Sequence, residues 1–562
     1  MSLAVFKLHN SIWWRLAAGS VLFALLQFAG LAILYLTEDG FVPLVAAVLA
    51  WGSLNFLWLA LLRTPALAAA LSLTTIFFLT VLSKFKHSAL TMTVTFLDVQ
   101  VVDTDTMSYL LTIFPELGWQ LTRAALVGLP LLALIWWLDP FRLRRPVALL
   151  GAIVGFALLA GLSFAVPLDR EDEFYDHNYV SKFARSAAVA VVDMATRQIL
   201  EADAATADRL APASAACAAI GKLPHILLVL DESGFDVTTM PGIKAPPEHK
   251  AHFRSFDGRE RRLLVEGAGG PTWYTEYNVL TGLSVRSYGR FAEGVTRLAA
   301  GRVERGLPRA LRRCGYQTIS MYPYAGAFLG ARGFQTTTGI ENFRDAENLG
   351  SRQRNPDAFY FDIAARTLTF ERGRGPLFMF VYTTANHFPW NFRWRADLTP
   401  DWRLTGNRLD VDEYLRRQAI SVRDYAQFRG RLQRDFPDDP ILIVRFGDHQ
   451  PAFARYFIDP SLEPAAVAQR IQNYDPRYFT AYYVIDTINF TPADLSSALD
   501  TLDAPYLPLM VLEAAGVPLD PSFAEQKKIL ERCGGLFYLC DGGAEARRFN
   551  RLLIDAQLIK GF

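Results

Sequence analysis

The sequence predicts a protein in two parts: a bundle of five membrane-spanning helices, followed by an α/β domain with a mostly parallel central sheet. Apolar residues crowd into the first third of the 562-residue chain, where five stretches approach the roughly 20 residues that a spanning helix needs. After Pro224, short apolar runs alternate regularly with helical stretches. That alternation is typical of a parallel sheet covered by helices on both faces.

The charge balance argues against nucleic acid as a partner. Lys and Arg total 57 and Asp and Glu total 56, so the chain has no basic excess. We predict three regions: a transmembrane domain at 1–168, linker helices at 169–222 and an extracytoplasmic domain at 223–562. The first apolar stretch follows Trp13-Trp14-Arg15 and has no small-residue cleavage site, so we interpret it as a retained anchor. The predicted spans are Leu16–Leu36, Phe41–Leu62, Pro65–Leu82, Leu121–Leu138 and Val147–Leu168.

The loops between the spans favour an N-terminus on the cytoplasmic side. Cytoplasmic loops would then hold Arg63 and the arginines of segment 142–145, as expected for basic residues, although Lys84 and Lys86 fall on the other side. Five spans place the α/β domain outside the cytoplasm, and an even number would reverse that. Two short stretches, Leu90–Leu97 and Tyr109–Phe114, are predicted either as interfacial elements or as ordinary connecting segments.

The region 169–222 is predicted to form one or two linker helices. Apolar residues recur there at helical spacing, at Phe183, Ala187, Val191 and Met194.

The α/β domain has six candidate strands, and its main helical stretches fall between and after them. The predicted strands are His225–Leu230, Leu263–Glu266, Thr318–Tyr322, Leu377–Thr383, Ile441–Phe446 and Phe479–Ile485. The predicted helices include Gly306–Arg313, Asp357–Leu368, Tyr414–Phe428 and Leu507–Ala515. In such sheets ligands bind beyond the carboxyl ends of the strands.

Three metal-ligating side chains follow strand ends. Glu232 ends the first strand, and Asp448 and His449 follow Ile441–Phe446. Carboxylates and imidazole suit Zn²⁺ or Mn²⁺, and Gly447 is expected to allow the turn that presents both neighbours to one ion. The alternative is that these are ordinary loop residues.

Thr272 is the candidate nucleophile. It opens a predicted helix after Gly269 and Gly270, where backbone N–H groups favour an anionic group. A metal ion would lower the pKa of its hydroxyl and so activate it. The alternative is a plain helix N-cap.

Two further side chains are candidate substrate ligands. His387 could donate a hydrogen bond to a phosphoryl oxygen or to the leaving group, and Arg332 could hold a phosphate. The alternatives are a structural histidine and a surface arginine. His249 and His252 lie in a charged stretch and are expected to be solvated.

The four cysteines are too few for a fold built on disulfides. Cys533 and Cys540 flank a short loop and are predicted either to pair in an exported domain or to stay buried thiols.

Several short motifs together resemble the lipoteichoic acid synthase and phosphoglycerol transferase group of the alkaline phosphatase–sulfatase superfamily. They are Leu230-Asp-Glu-Ser233, Pro271-Thr-Trp-Tyr-Thr-Glu-Tyr277, Tyr322-Pro-Tyr-Ala-Gly-Ala-Phe328, Asn386-His-Phe-Pro389 and Gly447-Asp-His449. The resemblance covers the whole predicted architecture, from the spans to the sulfatase-like domain.

The resemblance implies a catalytic site. Glu232, Thr272, Asp448 and His449 would hold one divalent ion, Mn²⁺ or Zn²⁺, and His387 would contact substrate. Thr272 would take a head group from a phospholipid, phosphatidylglycerol above all, and pass it to a hydroxyl of a glycan or glycolipid. Arg332, in Phe328-Leu-Gly-Ala-Arg332, is offset by one from the family's Arg after Phe-Trp-Asn.

The resemblance also implies a multi-pass protein of the bacterial inner membrane, with its catalytic domain on the periplasmic side. Phosphoethanolamine transfer is the second hypothesis, because lipid A phosphoethanolamine transferases usually carry several disulfides and this chain has only four cysteines. A catalytically inactive scaffold that binds glycan or lipid is the third.

Overall fold

The computed structural model describes residues 2–167, 173–196, 199–204, 208–211, 217, 222–351, 354–404 and 406–561. The first third is helical. Its helices are α1 (Ser2–Thr37), α2 (Phe41–Leu62), α3 (Pro65–Leu90), α4 (Thr104–Ile113), α5 (Pro115–Leu138), α6 (Arg145–Ala165) and α7 (Tyr179–Thr196).

The rest of the chain combines eight strands with twelve helices in the part that the structure describes. The strands are β1 (His225–Asp231), β2 (Arg261–Leu264), β3 (Gln317–Met321), β4 (Asn342–Arg344), β5 (Leu377–Tyr382), β6 (Ile441–Gly447), β7 (Thr480–Ile488) and β8 (Thr501–Asp503). The helices are α8 (Thr272–Thr281), α9 (Val295–Ala299), α10 (Leu307–Arg312), α11 (Ala331–Thr338), α12 (Ala346–Leu349), α13 (Asp357–Glu371), α14 (Leu409–Asp435), α15 (Arg455–Ile458), α16 (Pro464–Gln472), α17 (Leu507–Ala514), α18 (Pro521–Cys533) and α19 (Ala544–Asp555).

The chain forms two compact units. The first comprises Met1–Val102, Met107–Arg197 and Glu463–Asn473, and the second comprises Asp103–Thr106, Gln198–Leu462 and Tyr474–Phe562. The boundaries predicted near 168 and 222 stay predictions. Leu168, Asp169 and much of the predicted linker lie outside the described residues, while α7 supplies one helix in that region.

Five helices among the described residues are long and apolar enough to cross a membrane, as predicted. They cover Trp13–Thr37, Phe41–Leu62, Pro65–Leu90, Pro115–Leu138 and Arg145–Ala165. Several bounds differ from the prediction: the first span is longer at both ends, α3 ends later, α5 begins at Pro115, and α6 both begins and ends earlier than the predicted Val147–Leu168. The prediction ended α3 early because its last turns are polar. Those polar groups are satisfied by packing, since Lys86 Nζ lies 2.7 Å from Asp98 Oδ1 and Ser83 Oγ accepts from the Val94 amide.

Polar side chains also link the spanning helices to one another. Trp51 Nε1 donates to Gln27 Oε1 at 2.8 Å, and Gln27 Nε2 donates to Asn55 Oδ1 at 2.9 Å. Such bonds between α1 and α2 hold helices together where no hydrophobic driving force acts. The Leu90–Leu97 stretch is an ordinary packed connection, because Met92, Val94 and Leu97 are buried, and Tyr109–Phe114 falls largely on α4.

The second unit contains one mixed, mostly parallel sheet of order β4-β3-β5-β1-β6-β7-β2-β8. Five of its seven strand pairings are parallel, and β7 runs antiparallel to both β6 and β2. The six predicted strands are present with ends shifted by up to three residues. The three-residue strands β4 and β8 were missed.

The middle of the sheet is fully buried, which explains its continuous apolar runs. Every residue of β1, β5 and β6 is buried. On one face, α13 and α14 pack Phe361, Leu368 and Phe428 against the sheet. The rigid core therefore fixes the carboxyl ends of β1, β5 and β6, from which the candidate site residues follow.

All four cysteines are paired, which extends the prediction made for Cys533 and Cys540. Disulfides join Cys217 to Cys314 and Cys533 to Cys540. The alternative of buried free thiols is wrong.

Candidate metal and nucleophile site

Parallel pairing of β1 and β6 places the predicted metal ligands next to each other at the ends of the two strands. Asp231 pairs with Gly447 at the last register position of the two strands, so Glu232 and Asp448 leave the sheet side by side. The Thr383 hydroxyl, just after β5, donates to Leu230 O at 3.1 Å and accepts from the Glu232 amide at 3.3 Å. The site is thus anchored on three adjacent strands.

Glu232, Asp448 and His449 converge as a metal-binding group would. One ligand atom from each lies within 4.8 Å of the others, and all three side chains are buried. His449 Nε2 lies 3.8 Å from Glu232 Oε1 and 3.2 Å from Asp448 Oδ2. Sequence reasoning chose these three residues, and the structure places them together.

The hydrogen bond at the other ring nitrogen leaves His449 Nε2 able to coordinate. Nδ1 lies 2.9 Å from Gln450 O, and because a carbonyl can only accept, Nδ1 carries the proton. The lone pair is therefore on Nε2, the atom that faces the two carboxylates. A backbone carbonyl behind a ligating histidine is a common support of metal sites.

The two buried carboxyl groups of the cluster favour a bound cation. Burial, followed by the charge of Asp448, holds the pKa of Glu232 well above its ordinary value, and burial also raises the pKa of Asp448. Among the described residues, Asp448 Oδ2 is a buried oxygen without a well-formed hydrogen bond. Two buried carboxylates and one imidazole fit Zn²⁺ or Mn²⁺ and fit no neutral occupant as well.

Gly447 serves the site by leaving space, which differs from the expected turn. Its φ lies outside the left-handed region, but a Cβ there would stand 1.7 Å from Gly234 O. The sharp turn falls instead at Ser233, whose φ is 51°. Glycine at 447 thus lets the chain after β1 cross directly over the end of β6.

Thr272 lies beside the cluster, at the first residue of α8. Its hydroxyl is 3.4 Å from His449 Nε2. Pro271 occupies the N-cap position and no side chain caps the helix, so the plain N-cap alternative is wrong. Thr275 Oγ1 donates to Asp448 O at 2.6 Å, which ties the same helix to the end of β6.

His387 is buried and neutral. Burial, then the positive charge of Arg354, lowers its pKa to about 3. Nδ1 lies 2.7 Å from Phe388 O and therefore carries the proton, which leaves a lone pair on Nε2. This form can accept a proton or a hydrogen bond at Nε2, whereas the sequence led us to expect a donor.

Two arginines have roles that the sequence did not predict. Arg332 pairs with Asp345 and lies over the Phe343 ring, so it is engaged with β4 and the turn after it. Arg354 was not predicted, yet its charge opposes the rise in the pKa of Glu232 and adds to the fall in the pKa of His387, and its Nη2 donates to Phe388 O at 2.8 Å. Nothing in the local sequence distinguishes Arg354 from other loop arginines.

The expectation that His249 and His252 are solvated is wrong. Their relative exposures are 1% and 8%. His252 Nε2 accepts from Arg445 Nη1 at 2.8 Å, and Arg445 also donates to Asp231 at 2.9 Å. These groups form a buried layer beneath the carboxyl end of β1, where Tyr482 donates to Asp231 as well.

Comparison with known proteins finds a match to a family model and a curated relative. The family model described as Sulfatase matches residues 227–478. A putative cyclic beta-1,2-glucan modification protein of Rhizobium meliloti (strain 1021) is 25% identical over 310 residues, which cover 53% of this chain and 47% of the relative. The chain thus spans about half the length of that relative.

Solved structures resemble the chain at low sequence identity. A Streptococcus pyogenes phosphoglycerol transferase in complex with sn-glycerol-1-phosphate is 14% identical, with a TM-score of 0.45 over 60% of this chain and 87% of that one. A membrane-integral lipooligosaccharide phosphoethanolamine transferase A of Neisseria meningitidis is 12% identical, with a TM-score of 0.42 over 85% of this chain and 96% of that one.

The family match begins in β1 and ends just before β7, so it includes Glu232, Thr272, His387, Asp448 and His449. The sulfatase family model therefore matches the part of the chain that carries the candidate site.

Proposed function

We propose that the chain is a membrane-anchored, metal-dependent phosphotransferase that moves a phospholipid head group onto a glycan hydroxyl. The observation that carries the proposal is the placement of the Thr272 hydroxyl 3.4 Å from His449 Nε2, within the buried Glu232–Asp448–His449 cluster. A hydroxyl beside three metal-ligating groups is the arrangement expected of an activated nucleophile.

The residues of the site divide the reaction into two steps. A divalent cation held by Glu232, Asp448 and His449 would supply charge that favours the deprotonated form of the Thr272 hydroxyl. Thr272 Oγ1 then forms a bond to the donor phosphorus while the bond from phosphorus to the diacylglycerol oxygen breaks. That oxygen takes up a proton as diacylglycerol leaves. The head group remains on Thr272 as a phosphodiester.

The second step transfers the group to an acceptor hydroxyl. The acceptor oxygen bonds to phosphorus, the bond to Thr272 Oγ1 breaks, and Thr272 regains a proton. His387 Nε2, which carries the lone pair because Nδ1 holds the proton, is the group we assign to take the acceptor proton. The negative charge of the phosphorylated threonine would raise the low pKa of His387 and strengthen it as a base.

The proposed donor is phosphatidylglycerol and the proposed acceptor is a periplasmic or cell-surface glycan. The name of the Rhizobium meliloti relative, which refers to modification of a cyclic beta-1,2-glucan, supports a glucan acceptor. The catalytic domain would lie on the periplasmic side of the bacterial inner membrane. Arg63 and the basic 142–145 segment on the opposite side, and the two disulfides, support that orientation.

Phosphoethanolamine transfer stays the second candidate because of the disulfides. From the sequence it ranks second because four cysteines allow few disulfides. All four cysteines are nevertheless paired, so the domain contains two disulfides. The experiment should therefore identify the transferred group as well as the nucleophile.

The test uses the full chain in detergent with Mn²⁺ or Zn²⁺, and offers phosphatidylglycerol and phosphatidylethanolamine separately. We expect diacylglycerol release from phosphatidylglycerol and a phosphoglycerol adduct on the peptide that carries Thr272, measured by mass spectrometry. Thr272→Ala should reduce release at least 1,000-fold, since removal of a nucleophile leaves only residual catalysis. Thr369→Ala, at an exposed position near the end of α13, should act like the parent.

Retained turnover in Thr272→Ala would contradict the covalent route. An adduct with the mass of phosphoethanolamine would replace the donor assignment. Absence of stoichiometric metal in the folded protein would favour the inactive scaffold.

A further inference from the structure

The loop after His387 carries an aromatic residue at every second position. Phe388, Trp390, Phe392 and Trp394 alternate with Pro389, Asn391 and Arg393. Trp390 is buried against Tyr414 and Phe453, but Phe392 is 48% exposed and Trp394 is half-buried. Two aromatic side chains thus reach solvent a few residues beyond the candidate general base.

One buried guanidinium connects these rings to the site. The Arg417 side chain is 0% exposed, and its charge is balanced by Glu413, whose Oε1 accepts from Nε at 2.7 Å. Arg417 Nη1 donates to His387 O at 2.9 Å, and Nη2 donates to Phe392 O at 3.1 Å. The backbone of the candidate base and that of the exposed ring are therefore held by a single side chain.

The same group supports both rings. The Arg417 guanidinium carbon lies 5.3 Å from the centre of the Phe392 ring and 5.7 Å from that of a Trp394 ring. Glu413 Oε1 also accepts from the Trp394 amide at 2.8 Å, and Arg354 lies 5.7 Å from the Trp394 ring while it donates to Phe388 O. Cation–π contacts and backbone hydrogen bonds hold both rings in fixed positions.

Hydrogen bonds from Arg393 also hold the exposed side of the loop in place. Arg393 pairs with Asp401 at 2.6 Å and donates to Thr399 O at 3.1 Å. Loop residues held from both sides lose little conformational entropy on binding, which is the advantage of a pre-organised surface.

We propose that Phe392 and Trp394 form an acceptor subsite that binds a pyranose ring of the glycan next to His387. This inference rests on the proposed function and assigns the part of the domain that recognises the acceptor. The C–H face of a sugar stacks on an aromatic ring, while its hydroxyls need polar partners at the rim. The exposed Asn391 flanks Phe392 on one side and offers an amide, and on the other side the Arg393–Asp401 pair, with Asp401 exposed, offers charged partners.

The chemistry of the surface favours a sugar over a lipid chain. An acyl chain would require a continuous apolar patch, whereas here the aromatic residues alternate with an amide and a guanidinium. Isolated aromatic side chains with polar neighbours suit a ligand that is itself apolar on its faces and polar at its edges.

The test measures binding directly. The full chain in detergent is titrated with cyclic beta-1,2-glucan by isothermal titration calorimetry. We expect Phe392→Ala and Trp394→Ala each to weaken binding by about 10-fold or more, because each removes an aromatic anchor, and Phe392→Tyr, which keeps a ring, to stay within about 3-fold. Phe370→Ala is the matched control, because Phe370 is 77% exposed near the end of α13.

Activity separates this inference from the proposed function. In Phe392→Ala the KM for glucan should rise at least 10-fold, whereas in the Phe370→Ala control both this KM and diacylglycerol release without glucan should equal those of the parent. Unchanged glucan affinity in both alanine variants, or no glucan binding by the parent, overturns the subsite. Loss of affinity in a protein that never releases diacylglycerol would support the subsite and reject the proposed reaction. Weaker release in Phe392→Ala with unchanged glucan affinity would assign the loop to the lipid donor and overturn the inference.

Discussion

Two glycines shape the metal cluster by the space they leave. Gly447, at the end of β6, and Gly234, after β1, are packed backbone to backbone, and a Cβ on Gly447 would stand 1.7 Å from Gly234 O. Backbone cannot swing aside as a side chain does, so relief would have to come from the strand ends that carry Glu232 and Asp448.

We therefore expect Gly447→Ala to destabilise the second unit by about 3 kcal/mol or more. Urea-induced unfolding of the full chain, followed by tryptophan fluorescence, measures the change. Gly373→Ala is the control, since a Cβ there has no neighbouring atom within 4 Å. Equal effects in the two variants would show that the close approach at Gly447 is unimportant.

His252 makes the stability of the domain depend on pH. Burial, then the charge of Arg445, lowers its pKa from the usual 6.5 to about 4. His252 is therefore protonated near pH 6.5 in the unfolded chain but only near pH 4 in the folded domain. The contribution of neutral His252 to the free energy of unfolding is therefore complete above pH 6.5. It is lost as the pH falls towards 4, and the free energy of unfolding drops by about 3 kcal/mol in total.

The matched variant is His252→Gln, which keeps an acceptor for Arg445 but does not titrate. We expect the free energy of unfolding of the parent to fall more steeply between pH 6.5 and pH 4 than that of the variant. Denaturant titrations at several pH values measure both slopes. Parallel curves would mean that His252 charges normally in the folded state.

At the scale of elements, a buried hydroxyl links helix α8 to the segment that directly follows strand β6. Thr275 Oγ1 donates to the carbonyl of Asp448 at 2.6 Å, one turn along from Thr272. The bond positions both the nucleophile and a metal ligand, although Thr275 touches neither substrate nor metal.

Thr275→Val keeps the shape of the side chain and leaves the Asp448 carbonyl without its donor. We expect a loss of stability of about 1–3 kcal/mol and metal affinity lower by about 10-fold or more. Competition with a chelator reports the affinity. Thr275→Ser retains the hydroxyl and should restore the metal affinity, so a serine variant as weak as the valine variant would argue against a positioning role.

At the scale of the whole molecule, one disulfide closes a long loop of the chain and the other closes a short one. Cys217 and Cys314 are 97 residues apart in sequence, whereas Cys533 and Cys540 are 7 apart. A long closed loop removes more entropy from the unfolded chain than a short one.

We expect the Cys217→Ser/Cys314→Ser pair to lose about 4 kcal/mol and the Cys533→Ser/Cys540→Ser pair about 2 kcal/mol. Unfolding under non-reducing conditions measures the difference. Protein isolated from bacterial membranes should show no maleimide-reactive thiol before reduction and four afterwards. Free thiols in the native protein would contradict an extracytoplasmic location of the domain.

Local pattern was enough for the elements and for most of the site. Five long apolar stretches predicted the spanning helices, because a bilayer imposes length and composition residue by residue. Buried strands such as β1 and β6 were predicted from their continuous apolar runs. The residues at the ends of these strands, Glu232, Asp448 and His449, were predicted as metal ligands. Strands β4 and β8, with three residues each, are too short to leave a pattern.

Only the tertiary structure decided which groups meet and which are hidden. The register of β1 with β6 places Glu232 beside Asp448, and α8 brings Thr272 to His449 across 177 residues of sequence. His252 lies in a charged stretch and yet is buried, and Arg354 reaches the site from a loop without a motif. Burial and electrostatic proximity depend on contacts between remote segments, so local composition does not determine them.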